Sequence, residues 1–182
     1  MSRDAVNTVV LSEDTQTECF IRRFLVKQGW DARKIYPVPV PNGRGSGSGW
    51  VLNRFTTELK AYRSRCTRVA TCLIVAADAD NKTVEERVQT FKDACAEAGL
   101  PFRKEGERVI FVIPRRNIET WLAYLRGEAV NELDAYRKYD YESDCREQVV
   151  KLADCCGRKN LEPAPPPPSL VATCAEFKRI AG

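Results

Sequence analysis

The sequence predicts an α/β protein with a mainly parallel, four-stranded sheet flanked by helices. Three observations lead to this fold class. Short apolar, β-branched runs alternate with segments whose apolar residues repeat at helical spacing. The strongest runs are continuously apolar, as expected of strands that are covered on both faces. Glycine or proline follows most of these segments and ends them. This alternation calls for a parallel sheet with helices on both faces.

The first 66 residues supply two predicted strands and two helices. Residues 7–11 form a short β-branched strand, and the helix after it closes at Gly29. Residues 34–40 alternate as a strand, and Pro37 and Pro39 restrict it to an edge of the sheet. The sequence NGRGSGSG at 42–49 is expected to be a loop. The second helix is predicted from an apolar stripe at Val51, Leu52, Phe55, Leu59 and Tyr62.

The next 60 residues add two more strands, each followed by a helix. Residues 69–77 (VATCLIVAA) are the strongest strand and are expected to be central. A helical stripe then runs from Val84 to Ala98 and ends at Gly99. Residues 109–113 form another buried strand that Pro114 stops, and the last helix of this region carries Ile118, Trp121, Leu122 and Leu125.

A change of pattern after Gly127 divides the chain into residues 1–127 and a helical C-terminal extension, residues 128–182. The extension is polar, and its helical stripe contains Tyr141, Cys145, Val149 and Leu152. The sequence PAPPPP at 163–168 predicts a stiff spacer that lets a final helix dock back on the domain. A ligand for an SH3-type domain is the alternative interpretation of this segment.

The composition excludes several kinds of chemistry. The 182 residues include no histidine, which rules out Ser-His-Asp and Cys-His machinery and His-ligated zinc. Eight cysteines occur without a CxxC pair, and the N-terminus does not resemble a secretory signal. We therefore expect mostly buried, reduced thiols in a cytoplasmic protein with no membrane partner.

Acidic residues follow two strands that a 2-1-3-4 strand order would make neighbours. Glu13 comes just after the first strand, and Asp78 and Asp80 come just after the third. Ligand sites in open α/β sheets lie beyond the carboxyl ends of the strands, so these three side chains should converge. Neighbouring carboxylates repel one another unless a cation joins them, and oxygen ligands favour Mg²⁺ or Mn²⁺. Glu119 and Glu18, each in the first turn of a helix, are further candidate ligands; stabilisation of the helix N-terminus is their alternative role.

Basic residues concentrate between positions 41 and 70, where six Lys and Arg stand against one acid. In this segment Arg44 and Arg54 are candidates for binding phosphate, and Trp50 is a candidate for stacking on a base. A solvated basic helix face, with Trp50 in the core, is the alternative. Arg115 and Arg116 lie close to Glu119 in sequence and either position a phosphate or pair with the acids.

Three short motifs resemble the Toprim domains of the RloB-like and OLD-type nuclease branch. EDTQTE at 13–18 resembles that family's E-G-x-x-T-E stretch, DADN at 78–81 its D-x-D motif, and NIETWL at 117–122 its final x-x-E-x-W-L helix. The resemblance covers residues 7–126. One departure is Asp14, which stands where the family usually has glycine, so either the turn differs or the site gains a carboxylate.

The resemblance implies a Toprim-like fold and a Mg²⁺- or Mn²⁺-dependent nuclease that hydrolyses phosphodiester bonds. Glu13 would be a metal ligand or proton-transfer group, and Asp78 and Asp80 would hold the metal. Glu119 would ligate or orient a second ion. Lys82 would stabilise the transition state, although a solvated lysine at a helix start is the alternative.

The same resemblance implies a nucleic-acid partner, DNA more than RNA, an ATPase partner subunit and a place in bacterial anti-phage defence. A Toprim-like subunit that binds nucleic acid or a protein without turnover is the alternative function. Other uses of D-x-D fit less well. In haloacid-dehalogenase phosphatases the motif follows the first strand, and an EF-hand would need glycine at Thr83 and glutamate at Gln89. A sugar-nucleotide transferase would need a longer chain.

Overall fold

Four parallel strands form the centre of the molecule. The computed structural model describes residues 2–40, 47–80, 82–156, 161 and 165–180. The strands are β1 (Asn7–Ser12), β2 (Ile35–Pro37), β3 (Thr71–Ala76) and β4 (Val109–Val112). They lie in the order β2-β1-β3-β4, and every neighbouring pair is parallel. The predicted α/β fold class and strand order are both confirmed.

Helices cover both faces of the sheet because its side chains alternate between two hydrophobic clusters. Val10 and Ile74 point into one cluster, and Leu11 and Val75 point into the other. The first cluster is closed by four helices and the second by two. The helices are α1 (Thr15–Lys27), α2 (Ser48–Cys66), α3 (Val84–Glu97), α4 (Ile118–Arg126), α5 (Arg146–Cys155) and α6 (Pro168–Lys178); α2 and α3 cover the second cluster.

The C-terminal helices pack against the sheet and share its first hydrophobic cluster. The Phe177 ring of α6 lies 4.4 Å, centroid to centroid, from the Phe24 ring of α1. Helix α6 also contacts β4, where the Phe111 N–H donates to Glu176 Oε2 at 3.0 Å. Helix α5 packs along α1, and Gln28 Nε2 donates to the Ala153 carbonyl at 2.7 Å. The final helix therefore docks on the domain, as the sequence predicted.

Strands β2, β3 and β4 are shorter than predicted by one to four residues, β1 is one residue longer, and two further segments differ from the sequence prediction. Residues 128–141 form no helix, and regular structure resumes only with the short 3-10 helix Glu142–Cys145. Asn131 accounts for part of this difference, because its Oδ1 accepts the backbone N–H groups of Leu133 and Asp134. Helix α2 begins at Ser48, so the glycine-rich loop ends two residues earlier than expected; residues 41–46 lie outside the described part of the chain.

The expectation of reduced thiols is wrong for one pair of cysteines. Cys156 and Cys174 form a disulfide, with their Cα atoms 5.3 Å apart. The sequence gives no sign of it because only the packing of α6 beside the end of α5 brings the two residues together. Six cysteines are free, and three of these are buried: Cys72, Cys95 and Cys145. No helix among the described residues is long and apolar enough to span a membrane.

Candidate functional site

A cleft of about 740 Å³ opens where β1 and β3 end and where α1 and α4 begin. Among the described residues, seven acidic side chains line it, against two basic ones, Arg116 and Lys138. Because parallel strands bring their carboxyl ends to one edge of the sheet, this is where the fold class predicts a ligand. The acidic residues are Glu13, Asp14, Asp78, Asp80, Glu119, Asp140 and Glu142.

Glu13 and Asp78 are in direct contact across the ends of β1 and β3. The two strands pair through Ser12 and Ala76, so the residues that follow are neighbours. Glu13 Oε1 accepts the Asp78 backbone N–H at 2.8 Å. Burial, followed by the charge of Glu13, raises the pKa of Asp78 to about 9. Burial also raises the pKa of Glu13. Ionising both carboxyl groups therefore costs free energy, which a bound cation would offset.

Asp80 lies on the exposed rim of the cleft, at the turn after β3. Its backbone adopts φ +57°, the left-handed region that aspartate tolerates better than most residues. The turn is held to the end of β4, since the Ala79 N–H donates to the Pro114 carbonyl at 2.8 Å. The charge of Asp80 also contributes to the raised pKa of Glu13. The D-x-D spacing thus directs both aspartates to the same cleft.

Asp14 is the N-cap of α1, which answers the question raised by the missing glycine. Its two carboxylate oxygens accept the N–H and the Oγ1 hydroxyl of Thr17, each at 2.8 Å. The backbone at Asp14 is extended, with φ −145°, so this turn does not require glycine. Asp14 also lines the cleft, and its charge helps to raise the pKa values of Glu13 and Asp78.

The two helical glutamates have different positions. Glu119 lies in the first turn of α4, is only 5% exposed and lines the cleft. Burial raises its pKa, and the nearby Lys138 opposes this effect. Glu18 is half-buried on α1 and does not line the cleft; burial raises its pKa, and Arg22 opposes the increase. The structure therefore brings Glu119, but not Glu18, to the carboxylates at the strand ends.

The irregular segment 128–145 forms the outer wall of the cleft, which the sequence did not predict. It contributes Lys138, Tyr139, Asp140 and Glu142. Thr15 Oγ1 donates to Glu142 Oε1 at 2.9 Å, which joins this wall to the start of α1. No motif marks these residues, and the helical pattern read into the segment pointed to a different structure. The only sequence signal for these four cleft residues is the charge of the segment that contains them.

The predicted substrate-binding residues are largely elsewhere. Arg116 lines the cleft and donates to the Leu133 carbonyl at 2.7 Å, whereas Arg115 is half-buried and does not line it. Arg54 pairs with Glu58 at 2.8 Å. Trp50 packs against the second hydrophobic cluster and does not line the cleft, and Arg44 lies outside the described residues. Lys82, which was predicted to be catalytic, is exposed and does not line the cleft either.

The cleft offers donors of the kind that Mg²⁺ prefers. All the acidic groups are hard oxygen donors, and neither histidine nor cysteine lines the cleft. Within the described ranges, no three of these side chains already surround a common point as ligands. The donor set nevertheless fits a hard divalent cation, since buried carboxylates with raised pKa values are the groups that such a cation would stabilise.

Comparisons with protein-family models, with curated proteins and with solved structures gave no significant match.

Proposed function

We propose that the protein is a Mg²⁺-dependent nuclease of Toprim type that hydrolyses phosphodiester bonds in nucleic acid, DNA in preference to RNA. The observation that carries the proposal is the convergence of Glu13, Asp78, Asp80 and Glu119 on one cleft at the carboxyl edge of a parallel sheet. These four residues come from three separate motifs and three separate elements. Two of those motifs are in direct contact, because Glu13 accepts the Asp78 backbone N–H.

Each residue has a role that its position supports. Asp78 and Asp80 would hold the cation, with Glu13 beside them, and Glu119 would ligate or orient a second ion from the start of α4. A bound divalent ion supplies a Lewis acid and lowers the pKa of a bound water. Glu13, whose pKa burial raises, can accept a proton from the attacking water. Arg116 and Lys138 are the cationic side chains on the cleft wall that can contact the phosphate.

Cleavage of plasmid and of RNA by the purified protein, with Mg²⁺ titrated from zero, tests the proposal. We expect nicking that depends on Mg²⁺ and is abolished in Asp78→Asn and Glu13→Gln. The matched controls are Asp93→Asn and Glu97→Gln, which remove the same charges from exposed positions on α3. Absence of cleavage with every divalent ion, or equal cleavage by wild type and Asp78→Asn, would overturn the proposal.

A binding protein without turnover is the second candidate function, because two of the acids have structural contacts. Glu13 fastens the ends of β1 and β3 together, and Asp14 caps α1. Under this alternative the acids stabilise the sheet edge, and the surface around the cleft binds nucleic acid or a partner protein. Wild type and Asp78→Asn would then shift DNA equally in a gel, and neither would cut it.

A further inference from the structure

A groove between α1 and α5 is lined by basic and apolar side chains, and no carboxylate of a described residue lines it. Its volume is about 500 Å³. The apolar floor is formed by Val149 with the more exposed Val26 and Val150, which are 42% and 36% exposed. The remaining residues that line it are Cys19, Arg22, Arg23, Lys27 and Arg146.

The groove begins beside the carboxylate cleft and leads away from it. Helix α1 starts at Thr15, and the 3-10 turn that leads into α5 starts at Glu142; both residues line the cleft and are bonded to each other. At the far end, Gln28 is bonded to the Ala153 carbonyl. The two helices therefore run side by side in the same direction. From Cys19 to Lys27 the groove extends about 12 Å at 1.5 Å per residue.

The four cations of the groove have no carboxylate partner in the described part of the chain. Arg22 Nη2 donates to the Ala32 carbonyl at 3.2 Å, and Arg23 Nε donates to Cys19 Sγ at 3.3 Å. Neither arginine, nor Lys27, nor Arg146, takes part in a salt bridge there. The charge of Arg22 acts on Glu18, one turn earlier on α1, and opposes the rise that burial causes in the pKa of Glu18.

The basic segment that the sequence singled out is less available for a ligand. Its Arg54 pairs with Glu58, and its Arg63 pairs with Glu107 at 2.7 Å while also donating to the Pro101 carbonyl. The α1–α5 groove lies beside the cleft, and none of its four cations forms a salt bridge with a described residue. The sequence suggested phosphate binding by the basic segment between positions 41 and 70, whereas this groove lies on α1 and α5.

We propose that the α1–α5 groove binds the nucleic-acid strand that extends from the carboxylate cleft. Its cations would contact backbone phosphates, and the three valines would contact sugars and bases. At the duplex spacing of 3.4 Å per phosphate, 12 Å covers roughly three phosphates of one strand. The inference rests on the proposed function for the nature of the ligand. An acidic peptide would satisfy the charges equally, but the continuity with a phosphodiester-binding cleft favours nucleic acid.

The groove can be tested with a fluorescein-labelled single-stranded oligonucleotide of 20 nucleotides (the 20-mer). Its binding is measured by fluorescence polarisation at several salt concentrations, in a buffer that contains Ca²⁺. In the double variant Lys27→Ala/Arg146→Ala we expect at least tenfold weaker binding at 0.1 M salt. The slope of log K against log salt should decrease in magnitude by about 1.4, since each phosphate contact on a single strand contributes about 0.7. The control is Arg65→Ala/Arg68→Ala, which removes two exposed charges at the end of α2.

Alkylation of Cys19 gives a second measurement that does not depend on a substitution. Cys19 lines the groove, and Cys66 is an exposed thiol at the end of α2. We expect the 20-mer to slow the reaction of Cys19 with iodoacetamide, measured by peptide mass spectrometry, and to leave the reaction of Cys66 unchanged.

The outcomes separate this inference from the proposed nuclease. If the groove variant keeps the wild-type affinity and salt slope, or if the control loses as much affinity, the groove does not bind the strand, even if the protein cuts DNA. A loss confined to the groove variant supports the groove even if no cleavage occurs. If a polyglutamate peptide binds and the 20-mer does not, the groove is a site for acidic protein, and the inference is wrong.

Discussion

Asp78 makes the stability of the protein depend on pH. Its pKa is about 9 in the folded protein and about 4 in an unfolded chain, so between these values the folded state binds more protons. The free energy of unfolding should therefore fall as the pH rises from 5 to 9 in EDTA, by up to ~1.4 kcal/mol per pH unit. Urea unfolding at several pH values should show a smaller decrease for Asp78→Asn. Asp93→Asn should retain the wild-type slope; equal slopes in all three proteins would contradict the pKa assignment.

Asp80 has a left-handed backbone conformation and a carboxylate in the cleft, and two substitutions separate the effects of these two features. Its φ of +57° suits glycine but strains alanine. We expect Asp80→Ala to lower the free energy of unfolding by about 1 kcal/mol and Asp80→Gly to leave it unchanged or raise it. Both variants lack the carboxylate and should bind Mg²⁺ equally weakly by calorimetry. Wild-type Mg²⁺ affinity in either variant would exclude Asp80 from the proposed metal site.

The residue-scale part of the site was most predictable where an acid directly follows a strand, although Glu119 and Arg116 were also predicted and line the cleft. Glu13, Asp78 and Asp80 have this position, and the strand order brings them together. Trp50 was chosen for its chemical type and packs against the second hydrophobic cluster, whereas Lys82 was chosen for its place after the D-x-D motif and is exposed outside the cleft. The orientation of a side chain at the start of a helix depends on contacts with distant residues, which one sequence does not reveal.

At the scale of a single helix, the cap at Asp14 has a measurable effect on stability. Asp14→Ala removes both hydrogen bonds to Thr17 and should lower the free energy of unfolding by about 1 kcal/mol. Asp14→Asn retains an acceptor and should lower it by less. Urea unfolding of the two variants measures the difference. An alanine variant as stable as wild type would show that another group caps α1.

Glu176 joins helix α6 to the last strand. Its carboxylate pairs with Arg103 and accepts the Phe111 N–H. Glu176→Ala leaves both donors without this partner and should lower the free energy of unfolding by about 2 kcal/mol. Glu176→Gln keeps an acceptor for the amide and should be affected less, as measured by urea unfolding. A change below about 0.5 kcal/mol in the alanine variant would contradict this role.

The regular elements were more predictable than the segment that connects them. The strands are short apolar runs with clear stops, and the helices that follow them have repeating apolar stripes. Segment 128–145 has no apolar run, and the helical stripe predicted there was misleading. Its conformation is set by side-chain bonds such as those of Asn131 and by its attachment to α1 through Glu142. This segment supplies the outer wall of the cleft, so the shape of the site could not be predicted.

Over the whole molecule, the disulfide ties the C-terminal helices together. Cys156 and Cys174 are 18 residues apart, and closing a loop of this length stabilises a protein by about 3 kcal/mol. Dithiothreitol should therefore lower the free energy of unfolding by about that amount. Cys174→Ser should already be less stable and should not respond to the reductant. A wild type that does not respond would show that the bond contributes little to stability.

The two outer strands of the sheet limit how the molecule can associate. Pro37 in β2 has no N–H to offer, and the outward amide of Phe111 in β4 is already occupied by Glu176. A second chain therefore finds little template for continuing the sheet on either side. Oligomers of this protein, where they form, would use contacts between helices and loops rather than a sheet that runs from one molecule into the next.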